Sequence, residues 1–472
     1  PRGKLFQMLS VCSRLAAFLL ISVAYAENFH PNKSKSFVNE EQLFKVEYLD
    51  NAALTGFVAE DKVQLGNYFV NTRFGCVTSS QGRDWNSADG ILGMGFPAAA
   101  LRSVPYPLFW ALTDMTKAND KDERVLNKRV FTVMLSSDQG ELVLGGYDKN
   151  SVKGPVVTTP VRPSIVGPGA QAFMHYMIDV QSLKLGNTEL LNFKNKDIGI
   201  QAILDSGTSC LVIPDDDFDG GLVGSPFQIF EREFPNLDDP SLYITIAGET
   251  FELPADDFVV NGRTCVMKMA NTPRTFLLGD VFFRRMVVIH NLTNVNAPSV
   301  SLGQRDQAYP LADKVHSLLQ KTGSDQSLLE EVHRVPLGTK PGTLRTGTHH
   351  VSTTSKSHSR RLLAQGSAPE RVPLSSSNSY IYYAQLSVGT PPQSNIHVIL
   401  DTGSSVFAIF AVPHGGPSAL VVFLLIAAAV LALAAVGLLV LSWWQGREED
   451  AAAAQYDRLP DYGTSGDMKS SV

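Results

Sequence analysis

Two strings in the chain carry nearly the same seven letters: Ile-Leu-Asp-Thr-Gly-Ser-Ser at 399–405 and Ile-Leu-Asp-Ser-Gly-Thr-Ser at 203–209. They differ by exchanging Thr and Ser, which keeps every hydroxyl in place. The groups able to do chemistry are Asp401 and Asp205. Two carboxylates that share a water cannot both stay ionised, so one serves as base and the other as acid. The ionised one takes a proton from the water as it attacks a carbonyl carbon, and the protonated one donates to the carbonyl oxygen. This needs no metal, no cofactor and no covalent intermediate. Which Asp holds the proton is not readable, because such a pair titrates as a unit. The neighbours suit the task. Gly403 and Gly207 allow a tight turn and a close approach of backbone to ligand. Thr402 and Ser206 can hydrogen-bond across to the opposite loop, and Ser404 and Thr208 can hold the outer carboxylate oxygens. Fixed hydrogen bonds of this kind preorganise the pair. One Asp-Thr-Gly is common by chance; two, each behind an apolar run and followed by Ser/Thr pairs, are specific.

Loops of this kind must be held by sheets. Residues 27–310 read as β-rich, with short β-branched and aromatic runs such as 44–48 and 243–246 punctuated by Gly, Asn, Asp and Pro. No long amphipathic helix stands out. The β pattern pauses over 311–372, where Gly, Ser and Thr are abundant, and resumes from 380 with a strand, the turn Gly389-Thr390-Pro391-Pro392, and a strand from His397 into Asp401. Another apolar strand, Val406 to Phe410, follows. The chain has 472 residues, 44% hydrophobic and 18% charged, enough for two domains with a sizeable core. Its net charge of −6 argues against nucleic acid as a partner. Residues 27–310 hold 25 Lys+Arg against 34 Asp+Glu, a net of −9, whereas 311–372 hold nine against five, with five of the ten histidines. By composition that segment is a disordered linker; by charge it is a basic inhibitory segment suited to an acidic cleft. Its His-rich stretch 349–358 lacks the spacing of a metal site.

The ends bear on compartment. Arg2, Lys4 and Arg14 precede the apolar run Leu15 to Ala24, and Ala24-Tyr25-Ala26 offers small residues at a cleavage site, which reads as a secretory signal over 1–26. Ala419 to Leu441 carries no charge and is long enough to span a bilayer, with Trp443 and Trp444 at an interface position. The expectation is a single-pass type I membrane protein of the secretory or endolysosomal pathway or cell surface, its body lumenal or extracellular and 446–472 cytosolic. Cys12 falls in the signal, so Cys76, Cys210 and Cys265 allow at most one internal bridge, of undetermined pairing. Asn32 and Asn291 head glycosylation sequons in the lumenal block. Arg360-Arg361 reads either as a processing site or as two exposed charges. Tyr456-Asp457-Arg458-Leu459 reads as a chance tetrapeptide rather than a sorting signal.

Around the two loops the chain resembles the pepsin-type aspartic proteases over nearly all of 28–306 and 372–410. The strings at 398–405 and 202–209 resemble that family's two catalytic loops, and Ile91-Leu92-Gly93 and Leu277-Leu278-Gly279 resemble the strands that pack beside them. Tyr48, before Thr55-Gly56, matches the substrate-covering flap tyrosine. Further similar strings are 383–393, Leu144-Gly145-Gly146-Tyr147-Asp148, and Leu278-Gly279-Asp280-Val281-Phe282. The resemblance implies an all-β, bilobal fold and an aspartic endopeptidase made as a zymogen, acting on polypeptides as a monomer without a cofactor or metal, with Asp401 and Asp205 catalytic. Ala408 stands where most pepsins carry Trp after the first loop; the membrane-anchored memapsins share that alanine. Family members that lose activity lose an Asp or Gly of the loops, and all four are present.

The larger departure is order. The organisation reads as signal 1–26, most of the first lobe with its flap 27–160, second lobe 161–310, prosegment-like basic segment 311–372, opening strands of the first lobe with Asp401 at 373–412, transmembrane region 413–445, and tail 446–472. In the family the Asp401 block comes first, so this chain is either a natural circular permutant or a misassembled gene, the latter being favoured. About a dozen residues that the family has between Phe410 and the stretch like Phe29-His30-Pro31 are also absent. Two rivals to an enzyme are a non-catalytic binding protein on the same fold, and an adhesion ectodomain with 311–372 as its stalk, which leaves the paired loops unexplained.

Overall fold

The computed structural model describes residues 29–48, 51–312 apart from a few short internal stretches, 369–376 and 381–411. All of these lie in one compact unit, Pro1–Val412. The signal, the apolar run 419–441, the tail and nearly all of the basic segment fall outside the described residues. Among the described residues no helix is long and apolar enough to cross a membrane.

The protein is mostly β. One sheet of 13 strands runs in the order Val38–Glu47, Ala53–Leu65, Tyr68–Gln81, Phe407–Phe410, Gly90–Gly93, Gln393–Asp401, Tyr382–Val388, Glu370–Ser376, Gln139–Leu144, Val130–Leu135, Met286–Asn291, Ser299–Arg305 and Val152–Pro160. A second body carries a five-stranded sheet, Met177–Val180, Ile200–Leu204, Leu277–Leu278, Leu211–Val212 and Val266–Met267, and a four-stranded one. The division at 160/161 therefore does not divide the sheets: strands from 286–305 pair with 130–135 and 152–160. Helices are short. The Pro226–Glu233 helix starts where it does because Ser225 and Gln228 cap each other's backbone, with Pro226 in the first turn.

Each lobe builds its aspartate loop alike. Gln393–Asp401 lies parallel to Gly90–Gly93, with Ile399 opposite Ile91 and Leu400 opposite Leu92, and Phe407–Phe410 comes back antiparallel to the same strand. In the other lobe Ile200–Leu204 lies parallel to Leu277–Leu278, with Ile203 opposite Leu277, and Leu211–Val212 returns antiparallel. The end of the Gln393–Asp401 strand, Val398 to Asp401, is buried on both faces and reads as a continuous apolar run, whereas Ile200–Leu204 keeps Gln201 exposed between buried Ile200 and Ala202.

The late segment thus sits inside the early sheet. Phe407–Phe410 lies between Tyr68–Gln81 and Gly90–Gly93, and the three strands spanning 370–401 lie between Gly90–Gly93 and Gln139–Leu144. Both junctions are close in space. Phe29 bridges Ala411 in parallel, and Glu141 accepts from the Ala312 N–H at 2.7 Å and from the Arg371 guanidinium at 2.6 Å.

The sheet begins at Glu370, three residues before the boundary read from composition. Glu370, Arg371 and Val372 looked like the end of a charged linker. Arg371 instead pairs with fully buried Glu141 and lies over the Tyr309 ring at 5.0 Å, so its charge marks a tertiary contact. Cys210 and Cys265 form the disulfide, and Cys76 is a buried free thiol.

Candidate active site

The two loops meet, though 196 positions separate Asp401 from Asp205 in the chain, and they grip each other reciprocally. The Ser206 N–H donates to Thr402 Oγ1 at 2.9 Å and the Thr402 N–H to Ser206 Oγ at 3.1 Å. The Ser206 hydroxyl donates to the Leu400 carbonyl and the Thr402 hydroxyl to the Leu204 carbonyl, each at 2.9 Å. Thr402 and Ser206 are buried, so these four bonds satisfy groups that have no water to turn to.

The carboxylates are held in matching cradles. Asp401 Oδ1 accepts from the N–H of Gly403 at 2.8 Å and of Ser404 at 3.1 Å, and Oδ2 accepts from Ser404 Oγ at 2.5 Å. Asp205 Oδ1 accepts from the Gly207 N–H at 2.9 Å, and Oδ2 from Thr208 Oγ1 at 2.6 Å. Neither glycine adopts a left-handed φ, so close approach is the need that these positions show. Space is what they supply. A Cβ on Gly403 would stand 2.3 Å from Asp205 Cγ, and one on Gly207 2.6 Å from Asp401 Oδ1. Each glycine is the contact surface for the opposite carboxylate.

The electrostatics favour one shared proton. Burial, then the charge of Asp205, raises the Asp401 carboxyl from 3.8 to about 7, against the pull of Ser404 and Gly403. A third carboxyl stands behind the pair. Asp280 is fully buried, neither of its oxygens has a hydrogen-bond partner among the described residues, and its N–H donates to the Thr208 carbonyl at 2.8 Å. Burial holds its acid form well above the usual carboxylate range, with Asp205 and Asp401 adding to the rise and Arg284 opposing it. The string containing Asp280 was legible in the sequence; its burial beside the pair was not.

Tyr48 stands at the tip of the hairpin formed by Val38–Glu47 and Ala53–Leu65, where its N–H donates to the Ala52 carbonyl at 2.8 Å. It packs on a cluster that includes Ile399, Val406, Ala408 and Trp85, the Trp85 ring lying 6.2 Å from its own. Ala408 is fully buried in that cluster, and Trp85 also contacts Phe410, with ring centroids 5.8 Å apart. Tyr48 and the strands on either side of the Asp401 loop therefore share one apolar body. Asn32 and Asn291 are both exposed. No group of three or more metal-ligating side chains occurs among the described residues.

Two residues that the sequence reading passed over also touch the site. His175 reaches the Gly403 carbonyl through Nδ1 at 2.8 Å. The Tyr176 hydroxyl donates to the Met94 carbonyl at 2.7 Å. A histidine and a tyrosine ahead of a short strand carry no spacing signal that would have marked them.

Rhizopuspepsin-1 of Rhizopus niveus is 26% identical over 283 residues, which is 56% of this chain and 65% of that protein. Gastricsin of Homo sapiens is 27% identical over 289 residues, 56% of this chain and 68% of that protein. The chain thus spans about two thirds of the length of these curated relatives. A solved aspartic proteinase from Irpex lacteus is 18% identical, with 60% of this chain and 86% of that one covered at a TM-score of 0.46. The family model described as eukaryotic aspartyl protease matches residues 11–304, a stretch that holds the Asp205 loop but stops short of Asp401. On a match covering well over half of its length, the chain belongs to the eukaryotic aspartyl protease family.

Proposed function

We propose that this protein is an aspartic endopeptidase that hydrolyses peptide bonds in polypeptide substrates through a water held between Asp401 and Asp205. The observation carrying this reading is the meeting of the two aspartate loops, locked by four bonds between Thr402 and Ser206 and with each loop glycine set against the opposite carboxylate, where burial and then the charge of Asp205 raise the Asp401 carboxyl to about 7. With one carboxyl protonated and the other ionised, the pair holds one proton and one charge. The ionised member takes a proton from the water as its oxygen attacks the scissile carbonyl carbon. The protonated member donates to the carbonyl oxygen, giving a tetrahedral diol. Proton return to the nitrogen then releases the amine. Donors from Gly403, Ser404, Gly207 and Thr208 are already aimed at the carboxylates, so little reorganisation is needed during the reaction. The test is peptide cleavage against pH, with and without a transition-state mimic of the tetrahedral diol. Cleavage that the mimic blocks and a metal chelator leaves intact supports the reading; cleavage lost to the chelator and untouched by the mimic refutes it.

The proposal extends to a membrane-anchored zymogen with a lumenal or extracellular body, a cytosolic tail, glycans at Asn32 and Asn291, and a monomeric state. Its supports are the signal-like start, the uncharged run 419–441 and the opposite charges of 27–310 and 311–372. In sealed vesicles a C-terminal tag should be digested from outside while the body survives. Deleting 313–368 should relieve inhibition near neutral pH; an unchanged profile reduces the segment to a linker. The block order we read as a gene misassembly, with circular permutation as the alternative. The pairing of Phe29 with Ala411, and of Ala312 and Arg371 at Glu141, is compatible with either order. A full-length transcript placing the Asp401 segment ahead of Asn28 decides for misassembly, and one joining Phe410 directly to Ala419 decides against it.

A further inference from the structure

The dipeptide His175-Tyr176 touches both catalytic loops at once. Its backbone belongs to the Asp205 side: the Leu204 N–H donates to the Tyr176 carbonyl at 3.1 Å, and the next residue, Met177, lies opposite Ile203 in the ladder. Its side chains belong to the Asp401 side. His175 Nδ1 lies 2.8 Å from the Gly403 carbonyl, and Tyr176 Oη lies 2.7 Å from the Met94 carbonyl. Met94 in turn donates its N–H to the Asp401 carbonyl at 2.7 Å.

The chemistry of these contacts is constrained. A carbonyl oxygen can only accept, so His175 Nδ1 carries a hydrogen and donates it. The Gly403 carbonyl and the Ser404 N–H are two ends of one peptide group, and that N–H donates to Asp401 Oδ1 at 3.1 Å. Donation by His175 therefore polarises the peptide that holds the Asp401 carboxylate, because hydrogen bonds in series strengthen one another. Tyr176 is fully buried, with its ring 4.8 Å from Phe96 and 4.4 Å from His290, so its hydroxyl has little freedom to leave Met94.

We infer that His175 and Tyr176 form a staple between the lobes that fixes the Asp401 loop relative to the Asp205 strand, which makes them positioning residues for the hydrolysis. The inference rests on the peptidase reading for its kinetic consequence but not for its structural one. The four-bond grip of Thr402 and Ser206 sets the two loops level at their base. The staple acts on the far side of Asp401, on the peptide that lies against the Asp205 carboxylate.

The test uses the full chain and four variants. His175→Asn keeps an amide donor near the Nδ1 position. His175→Gln moves the donor to the Nε2 position, and His175→Leu removes it. Tyr176→Phe removes only the hydroxyl. Losing one such bond should lower kcat about tenfold in the Leu and Gln variants and in Tyr176→Phe. KM should stay within about twofold, since an interaction that orders the reacting groups does not bind substrate as such. The Asn variant should stay within about threefold of wild type. The second readout needs no turnover: the Asp401 carboxyl, followed by carbon-13 NMR, should titrate at higher pH in the Leu and Gln variants, because its carboxylate has lost support, and at the wild-type position in Asn. Asp205 and Asp280 face the same carboxyl and are unchanged throughout. A rise in KM at constant kcat would make His175 a substrate contact and overturn the staple. Wild-type kcat with an unmoved Asp401 titration in the Leu and Gln variants overturns it as well. A wild-type protein without peptidase activity would sink the functional reading, and the titration would still decide the staple.

Discussion

Replacing Asp401 by Asn should flatten the pH dependence of stability. Folding raises the Asp401 carboxyl from 3.8 to about 7, so the folded protein binds this proton more tightly than the unfolded chain. The stabilisation it brings is complete below about 3.8 and is lost as pH rises through about 7. Over that window stability falls by about 1.4 kcal/mol per pH unit, so the ceiling is about 4 kcal/mol. Asn keeps the shape and cannot ionise. The variant's stability relative to wild type should therefore climb from pH 4 to pH 7 and level off above. For a domain of this size the change corresponds to a relative gain on the order of 5 °C in Tm. A constant offset at pH 4, from the altered hydrogen bonds, does not matter; the change with pH is the signal. Thermal or denaturant unfolding at half-unit pH steps measures it. Asp280 bends both curves in the same direction, since its carboxyl is raised chiefly by burial, which the substitution leaves in place. Parallel curves for the two proteins from pH 4 to 8 would show that Asp401 is not held protonated, and the electrostatic argument would fail.

Three further outcomes follow from the same contacts. Arg371→Met strands the fully buried Glu141 carboxylate and should destabilise by about 3–5 kcal/mol; adding Glu141→Gln should restore most of it in denaturant titration. Thr402→Val keeps the volume but leaves the Ser206 N–H and the Leu204 carbonyl unpaired in a buried site, which should cost roughly 2–6 kcal/mol in unfolding measurements and at least tenfold in kcat. Gly403→Ala places a methyl 2.3 Å from Asp205 Cγ and should lower kcat/KM by on the order of a hundredfold while the protein stays folded by circular dichroism.

The aspartate half of the site was legible because it is written twice. An apolar run, Asp, a hydroxyl residue, Gly and two more hydroxyls specify a strand end and its donors wherever they stand in the chain. The apolar-apolar-Gly strands at 91–93 and 277–279 were equally readable, since a strand buried on both faces leaves a continuous apolar run. Other features depend on contacts that spacing does not encode. Gly403 and Gly207 announce a tight turn and a close approach, but not that the group approached is the opposite carboxylate, 198 and 194 positions away. Arg371 resembles linker charge until Glu141 is seen beside it. Asp280 sits in a recognisable string, but nothing in the string says that both its oxygens are buried without partners. His175 and Tyr176 matter only because the Met177–Val180 strand brings them between the two loops. The Cys210–Cys265 pairing, one of three possible among Cys76, Cys210 and Cys265, required the placement of strands 55 residues apart.

The most direct test of the central claim is peptide hydrolysis by Asp401→Asn and Asp205→Asn, each assayed across pH 3–8 beside wild type with folding verified by near-ultraviolet circular dichroism. One proton shared between two carboxyls predicts that either substitution alone abolishes turnover at every pH while the fold survives. Full activity in either folded variant would contradict the account, because a single carboxylate would then suffice.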